Sequence, residues 1–85
     1  MDKQNEEFLQ RIEVNPEVMV GKPVIKGTRI TIELIVRLLA QGLSVEEILE
    51  DYPHISRDDV RAALFYAASV LANEEVFPIV VGQGK

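Results

Sequence analysis

The stretch "SVEEILEDYPHISRDDVRAALFYAA", Ser44 to Ala68, holds two helix starts and one helix stop in a short span. Ser44 is followed three positions on by Glu47, and Ser56 by Asp59. A serine that takes up the third residue's backbone N–H, while that residue's carboxylate reaches back to the serine's own N–H, forms a capping box. Asp is the less usual partner, so the second box is the weaker signal. Pro53 ends the first helix at or before Tyr52. The stretch therefore predicts a short helix, a tight turn at "PHIS" and a longer helix running through good helix formers to about Asn73.

Upstream, "TIELIVRLLAQG" supplies a further helix, with Thr31 as N-cap and Gly42 suited to the left-handed position past its end. At 100° per residue Glu33, Arg37 and Gln41 fall on one narrow stripe, while Ile32, Leu34, Ile35, Val36, Leu38 and Leu39 cover most of the rest. Such a helix has to be covered nearly all round. The repeat of Val60, Ala63, Leu64, Ala67 and Leu71 offers one cover, and Val45, Ile48 and Leu49 offer another. Two short elements do not enclose it, so the remaining surface should meet a β-arm or a second copy. A homodimer is expected.

Three helices with a tight turn between the last two make a mainly α, tri-helical helix-turn-helix pattern, preceded by a short β-arm or hairpin. The first turns of the last helix would then offer Ser56, Arg57, Arg61 and Phe65 to a major groove. Asp58 and Asp59 beside them repel a phosphate backbone, and both arginines can equally pair with neighbouring carboxylates on a wet face.

Before these helices, "RIEVNPEVMVGKPVIKG" reads as extended: Ile12 and Val14, a turn at Asn15 and Pro16, Val18 to Val20, a turn at Gly21, then Pro23 to Ile25. Gly21 and Gly27 let the chain turn, Pro23 suits an edge, and Val24 and Ile25 want a pleated partner. An arm reaching into a dimer meets all these needs. Residues 1–10 read as a flexible N-terminal tail or a frayed helical turn with Phe8, Leu9 and Ile12 as docking points, 11–73 as the single domain and 74–85 as an apolar C-terminal tail.

The 85 residues carry a net charge of -5, which argues against a nonspecific nucleic-acid coat. The charge is unevenly spread. Lys22, Lys26, Arg29 and Arg37 face only Glu33 between Gly21 and Leu43, whereas Glu46, Glu47, Glu50, Asp51, Asp58 and Asp59 face only Arg57 from Ser44 to Asp59. There is no cysteine, no basic-then-apolar leader and no apolar run long enough for a membrane span. A soluble, cytoplasmic chain is expected.

Enzyme chemistry finds little to use. In "GKPVIKGT" Lys26 precedes the second glycine, the reverse of a phosphate-binding loop, and Pro23 stiffens the interior. His54 sits in a turn without an acid-base partner, and the carboxylates of Glu46, Glu47, Glu50 and Asp51 suit a solvated helix start. No catalytic residue, metal site or cofactor is expected.

The run from Asn15 to Ala68, with Gly-Lys-Pro-x-Ile-x-Gly-Thr-Arg-Ile at its head and the later "EEILEDYP" and "AALFYAA", closely resembles the domain of unknown function 433 family over roughly Ile12 to Ala68. Thr31 stands where proline is frequent and Val20 where glycine is frequent. The family looks like VapB-type antitoxins, and the resemblance implies a homeodomain-like helix-turn-helix, dimerisation, operator DNA and a PIN-like nuclease toxin as partner.

On that implication Lys22 and Lys26 join Arg57 and Arg61 as DNA contacts, while Gly21, Pro23, Ile25, Gly27, Thr28 and Arg29 build the arm. Arg29 would hold the arm to the first long helix through carbonyls or Glu33. In the tail, Val76, Phe77, Ile79 and Val80 would add as a strand to a toxin sheet or pack on the protein's own dimer. The competing reading is an oligomerising protein-interaction module that touches no DNA.

Overall fold

The computed structural model of the chain describes residues 3–73. The element order is α1 (Lys3–Leu9), β1 (Ile12–Glu13), a 3-10 turn (Met19–Gly21), β2 (Val24–Ile25), α2 (Ile32–Ala40), α3 (Val45–Asp51) and α4 (Arg57–Asn73). The chain is mainly α, with three successive helices preceded by a small antiparallel hairpin, as the sequence predicts. No described helix is long and apolar enough to cross a membrane.

Local chemistry sets the helix ends. Thr31 caps α2 by accepting from the Leu34 N–H at 3.0 Å. At the other end the Gly42 N–H donates to Leu39 O at 3.0 Å and the Leu43 N–H to Leu38 O at 3.2 Å, a Schellman closure that needs the φ of +101° at Gly42. Both capping boxes form. The Ser44 N–H donates to Glu47 Oε1 at 2.8 Å and the Ser56 N–H to Asp59 Oδ2 at 2.9 Å, with the reciprocal bonds at 3.1 and 3.2 Å.

The core lies where β2, α2, α3 and α4 meet, and Ile25, Ile32, Ile35, Ile48, Ile55, Val60 and Ala63 form one buried cluster. On α4, Ala62 is buried as well, since α1 and β1 pack along that helix while α2 and α3 pack on it too. Leu64 and Leu71 stay largely open, unlike Val60 and Ala63 of the same predicted stripe.

Three expectations for the N-terminal part meet the structure differently. Of the two readings of the first residues, tail or helical turn, residues 3–9 follow the helical one, because Phe8 finds Phe65 of α4 at a ring-centroid distance of 5.9 Å. A helix this short is marginal alone and depends on such docking. The expected strand over Val18 to Val20 is absent. Asn15 opens a turn by accepting from the Glu17 N–H, and Met19, Val20 and Gly21 then take left-handed φ values of 51°, 57° and 81°.

The third change concerns the arm. Ile12 pairs with Ile25 and Glu13 with Val24 on one side of β2. On the other side Ile25 N–H donates to Ile30 O, Ile32 N–H to Pro23 O, and Val24 bridges Thr31. Both edges of β2 are thus engaged within the chain, and Val24 and Ile25 are buried. A strand with its ladder groups satisfied on both sides has nothing left to pair with a second chain. The Gly21–Arg29 segment is a folded hairpin, not an arm reaching outward.

Val20, 92% exposed, holds its left-handed φ with no packing in return. Replacing it by glycine relieves about 1–2 kcal/mol of backbone strain against roughly 0.5–1 kcal/mol of extra chain entropy. Val20→Gly is expected to raise the melting temperature by a few degrees in a thermal scan. A value at or below the parent's rejects the strain.

Candidate functional site

The described surface carries paired cations on α2 and at the start of α4, and an apolar opening between those two helices. At the start of α4, the Arg57 guanidinium donates to Glu46 Oε2 of α3 at 2.6 Å. That contact holds the Glu46 carboxyl below the ordinary glutamate range, through its hydrogen bond first and its charge as well. Arg11, between α1 and β1, reaches Asp59 at 3.0 Å and Asp58 at 3.7 Å. Arg61 lies over the Phe8 ring, its guanidinium carbon 5.6 Å from the centroid, within the range of cation–π attraction. The front of α4 is therefore a web of engaged charges.

On α2, Glu33 receives two cations, Lys22 Nζ at 3.2 Å and the Arg37 guanidinium. Its carboxyl is held below the usual value of 4.5, chiefly by the Lys22 hydrogen bond and charge and then by Arg37. Glu33 thus has its partners, and Arg29, expected to reach it, is exposed and makes no hydrogen bond or ion pair among the described residues. Its expected task of holding the loop falls to Thr28.

The loop from Ile25 to Ile30 is closed four times. Thr28 N–H and Thr28 Oγ1 both donate to Ile25 O, at 3.0 and 2.7 Å; Ile30 N–H donates to Thr28 Oγ1 at 3.0 Å; and Ile25 N–H donates to Ile30 O at 2.9 Å. Gly27 sits at its tip with φ +80°, the third position of the turn, where a side chain is strained although the space is open. Its N–H points to Glu13 Oε1 at a long 3.5 Å. The side chains of Lys26 and Arg29 have no hydrogen-bond or ion-pair partner among the described residues, unlike Arg11, Lys22, Arg37 and Arg57.

Between α2 and the second half of α4 runs an apolar groove of about 690 Å³. Val36 and Ala40 form one wall and Tyr66, Ala67, Val70 and Leu71 the other, with Pro23 and Ile32 contributing. Lys22, Glu33 and Arg37 stand among its polar lining residues. The over-wide apolar surface of α2 anticipated such an uncovered region, whereas the hydrophobic repeat alone did not reveal that Leu71 would be open. Val76, Phe77, Ile79 and Val80 lie outside the described residues.

The family profile described as "Protein of unknown function (DUF433)" matches residues 12–67. The chain belongs to the DUF433 family. A crystal structure of a DUF433 member protein from Anabaena variabilis is similar to it, with a TM-score of 0.70 and 29% identity, covering 81% of this chain and 72% of that one. The uncharacterized protein y4eO of Sinorhizobium fredii is 36% identical over 53 residues, which is 62% of this chain and 24% of that protein. An uncharacterized protein of Archaeoglobus fulgidus is 57% identical over 30 residues, 35% of this chain and 83% of the other. The chain thus spans about a quarter of the Sinorhizobium protein. The DUF433 match takes in the hairpin, the Lys26–Arg29 loop and α2 to Ala67, while Val70 and Leu71 of the groove wall lie beyond it.

Proposed function

We propose that this DUF433 chain is an antitoxin-like homodimer of the cytoplasm that works by protein contact, using its apolar α2–α4 groove to engage a PIN-like nuclease. The observation that carries this reading is the groove: an opening of about 690 Å³ lined mainly by apolar side chains is out of keeping with a self-sufficient surface. Glu50 and Asp51 at the end of α3 add exposed negative charge, which suits a nuclease surface built to attract RNA.

The reading of α4 as a DNA-recognition helix has less support, because Arg57 is taken up by Glu46, Arg61 lies on Phe8, and Asp58 and Asp59 stand between them. One observation favours operator DNA by a different route. Lys26 and Arg29 sit on a rigid loop without partners among the described residues, free to meet phosphates.

The test is co-purification with a PIN-like nuclease encoded by an adjacent reading frame. Ala40→Glu with Leu71→Glu, both at exposed positions, is expected to lower nuclease affinity by about tenfold or more by desolvating charge in the contact, with the helical circular-dichroism signal retained. Parental affinity in that double variant removes the groove from the contact. In the same preparation, Lys26→Ala with Arg29→Ala should reduce the salt slope of any operator binding by roughly two. An unchanged slope removes the DNA route.

A further inference from the structure

We infer that the groove between α2 and α4 is occupied, in the free protein, by the chain's own segment Val76 to Val81, "VFPIVV". The inference rests on reading that groove as a binding surface, and it names the first ligand to fill it. The described chain ends at Asn73, two residues after Leu71, which is itself part of the groove wall. Only Glu74 and Glu75 then separate the end of α4 from the apolar segment.

Length fits. Six residues in extended form cover about 20 Å, and the nine residues of α2 that flank the groove rise about 13 Å. Composition fits as well, since the segment has no charge and its branched and aromatic side chains match walls built from Val36, Ala40, Ala67 and Val70. The rim adds a sign. Lys22 and Arg37 share the single carboxylate of Glu33, leaving an excess of positive charge that Glu74 and Glu75 complement.

A tether this short decides which copy of the segment arrives. A ligand joined to the groove wall by a few residues has an effective concentration in the millimolar range, above that of a second chain at ordinary protein concentration. Occupation from within the same molecule follows, and any partner protein has to compete with it.

The full chain lends itself to a direct measurement because it has no cysteine. Gln83→Cys, beyond the apolar segment, accepts a nitroxide label, and the methyl signals of Val36, Val70 and Leu71 are then read by paramagnetic broadening. Those signals are expected to lose most of their intensity relative to the same sample with its nitroxide reduced. Adding Phe77→Asp to the labelled chain should restore them. Mixing labelled chain with isotope-enriched unlabelled chain separates the sources. Broadening of the enriched, label-free chain in that mixture means that a second copy's tail fills the groove, and full intensity in the all-labelled sample means that no tail does; either outcome overturns the inference. Nuclease capture plays no part in this readout, so its failure and that of the proposed function are told apart.

Discussion

Ile35→Ala is expected to cost about 2–5 kcal/mol, the range for emptying a fully enclosed aliphatic position. Ile35 has no exposed surface and stands in the buried cluster with Ile25, Ile48 and Val60, so removal of its outer carbons leaves a hole between helices that are already closely packed. A domain of this size has only about 5–15 kcal/mol in total, and each kcal/mol corresponds to roughly 4–8 °C. The melting temperature should therefore fall by about 10 °C or more. Leu34→Ala, on the half-buried side of the same helix and outside the cluster, is the control and should cost clearly less. Equal losses at the two positions would place the core elsewhere.

Thr28→Val should be the second severe change, with no cavity involved. Valine matches threonine in shape, but the Oγ1 that donates to Ile25 O and accepts from Ile30 N–H is gone. Ile25 O keeps a bond from Thr28 N–H, whereas Ile30 N–H loses its acceptor in a half-buried loop. Leaving such a donor unsatisfied costs about 1–3 kcal/mol. Denaturant titration should show that loss for Thr28→Val and most of it recovered in Thr28→Ser. A valine variant as stable as the parent would mean that Gly27 and the backbone bonds suffice to hold the loop. The same loosening should weaken whatever Lys26 and Arg29 bind, since their separation is fixed by this closure.

Helix boundaries were legible because each is written in adjacent residues: Thr31 before α2, Ser44 with Glu47, Ser56 with Asp59, and Gly42 at a required positive φ. The turn at Met19 to Gly21 was not, because Val18, Met19 and Val20 have the composition of a strand and nothing local announces a left-handed valine. The glycine frequent at that position in the resembling family was the one available signal. Side-chain partners were legible only in part. The sequence sets carboxylates beside Arg57, but its partner Glu46 is eleven positions away and on another helix. Spacing offers Arg29 either carbonyls or Glu33, four positions on, and Lys22, eleven positions from Glu33, occupies that carboxylate. Spacing along the chain cannot anticipate a competitor delivered by the hairpin.

The candidate groove was anticipated as a surplus and not as a place. Counting apolar positions on α2 indicated more surface than two short helices cover, yet which side stays open depends on how far α4 runs past its last contact. Leu71 is 67% exposed for that reason, although its repeat with Val60 and Ala67 is regular. An apolar stripe states what a helix can bury, whereas the neighbours decide what it does bury.

Asp59 bears on the order in which the chain assembles. Its Oδ2 closes a turn with a residue three positions away, and its Oδ1 receives Arg11 from 48 positions away. The near contact needs almost no loop closure and can be present as soon as the first turn of α4 nucleates, while the distant one requires the intervening hairpin and two helices to be brought round. Arg11 thus lands on a carboxylate that its own helix start has already oriented. A change at Arg11 should accelerate unfolding and leave the folding rate nearly untouched, whereas a change at Ser56 acts on the earlier step.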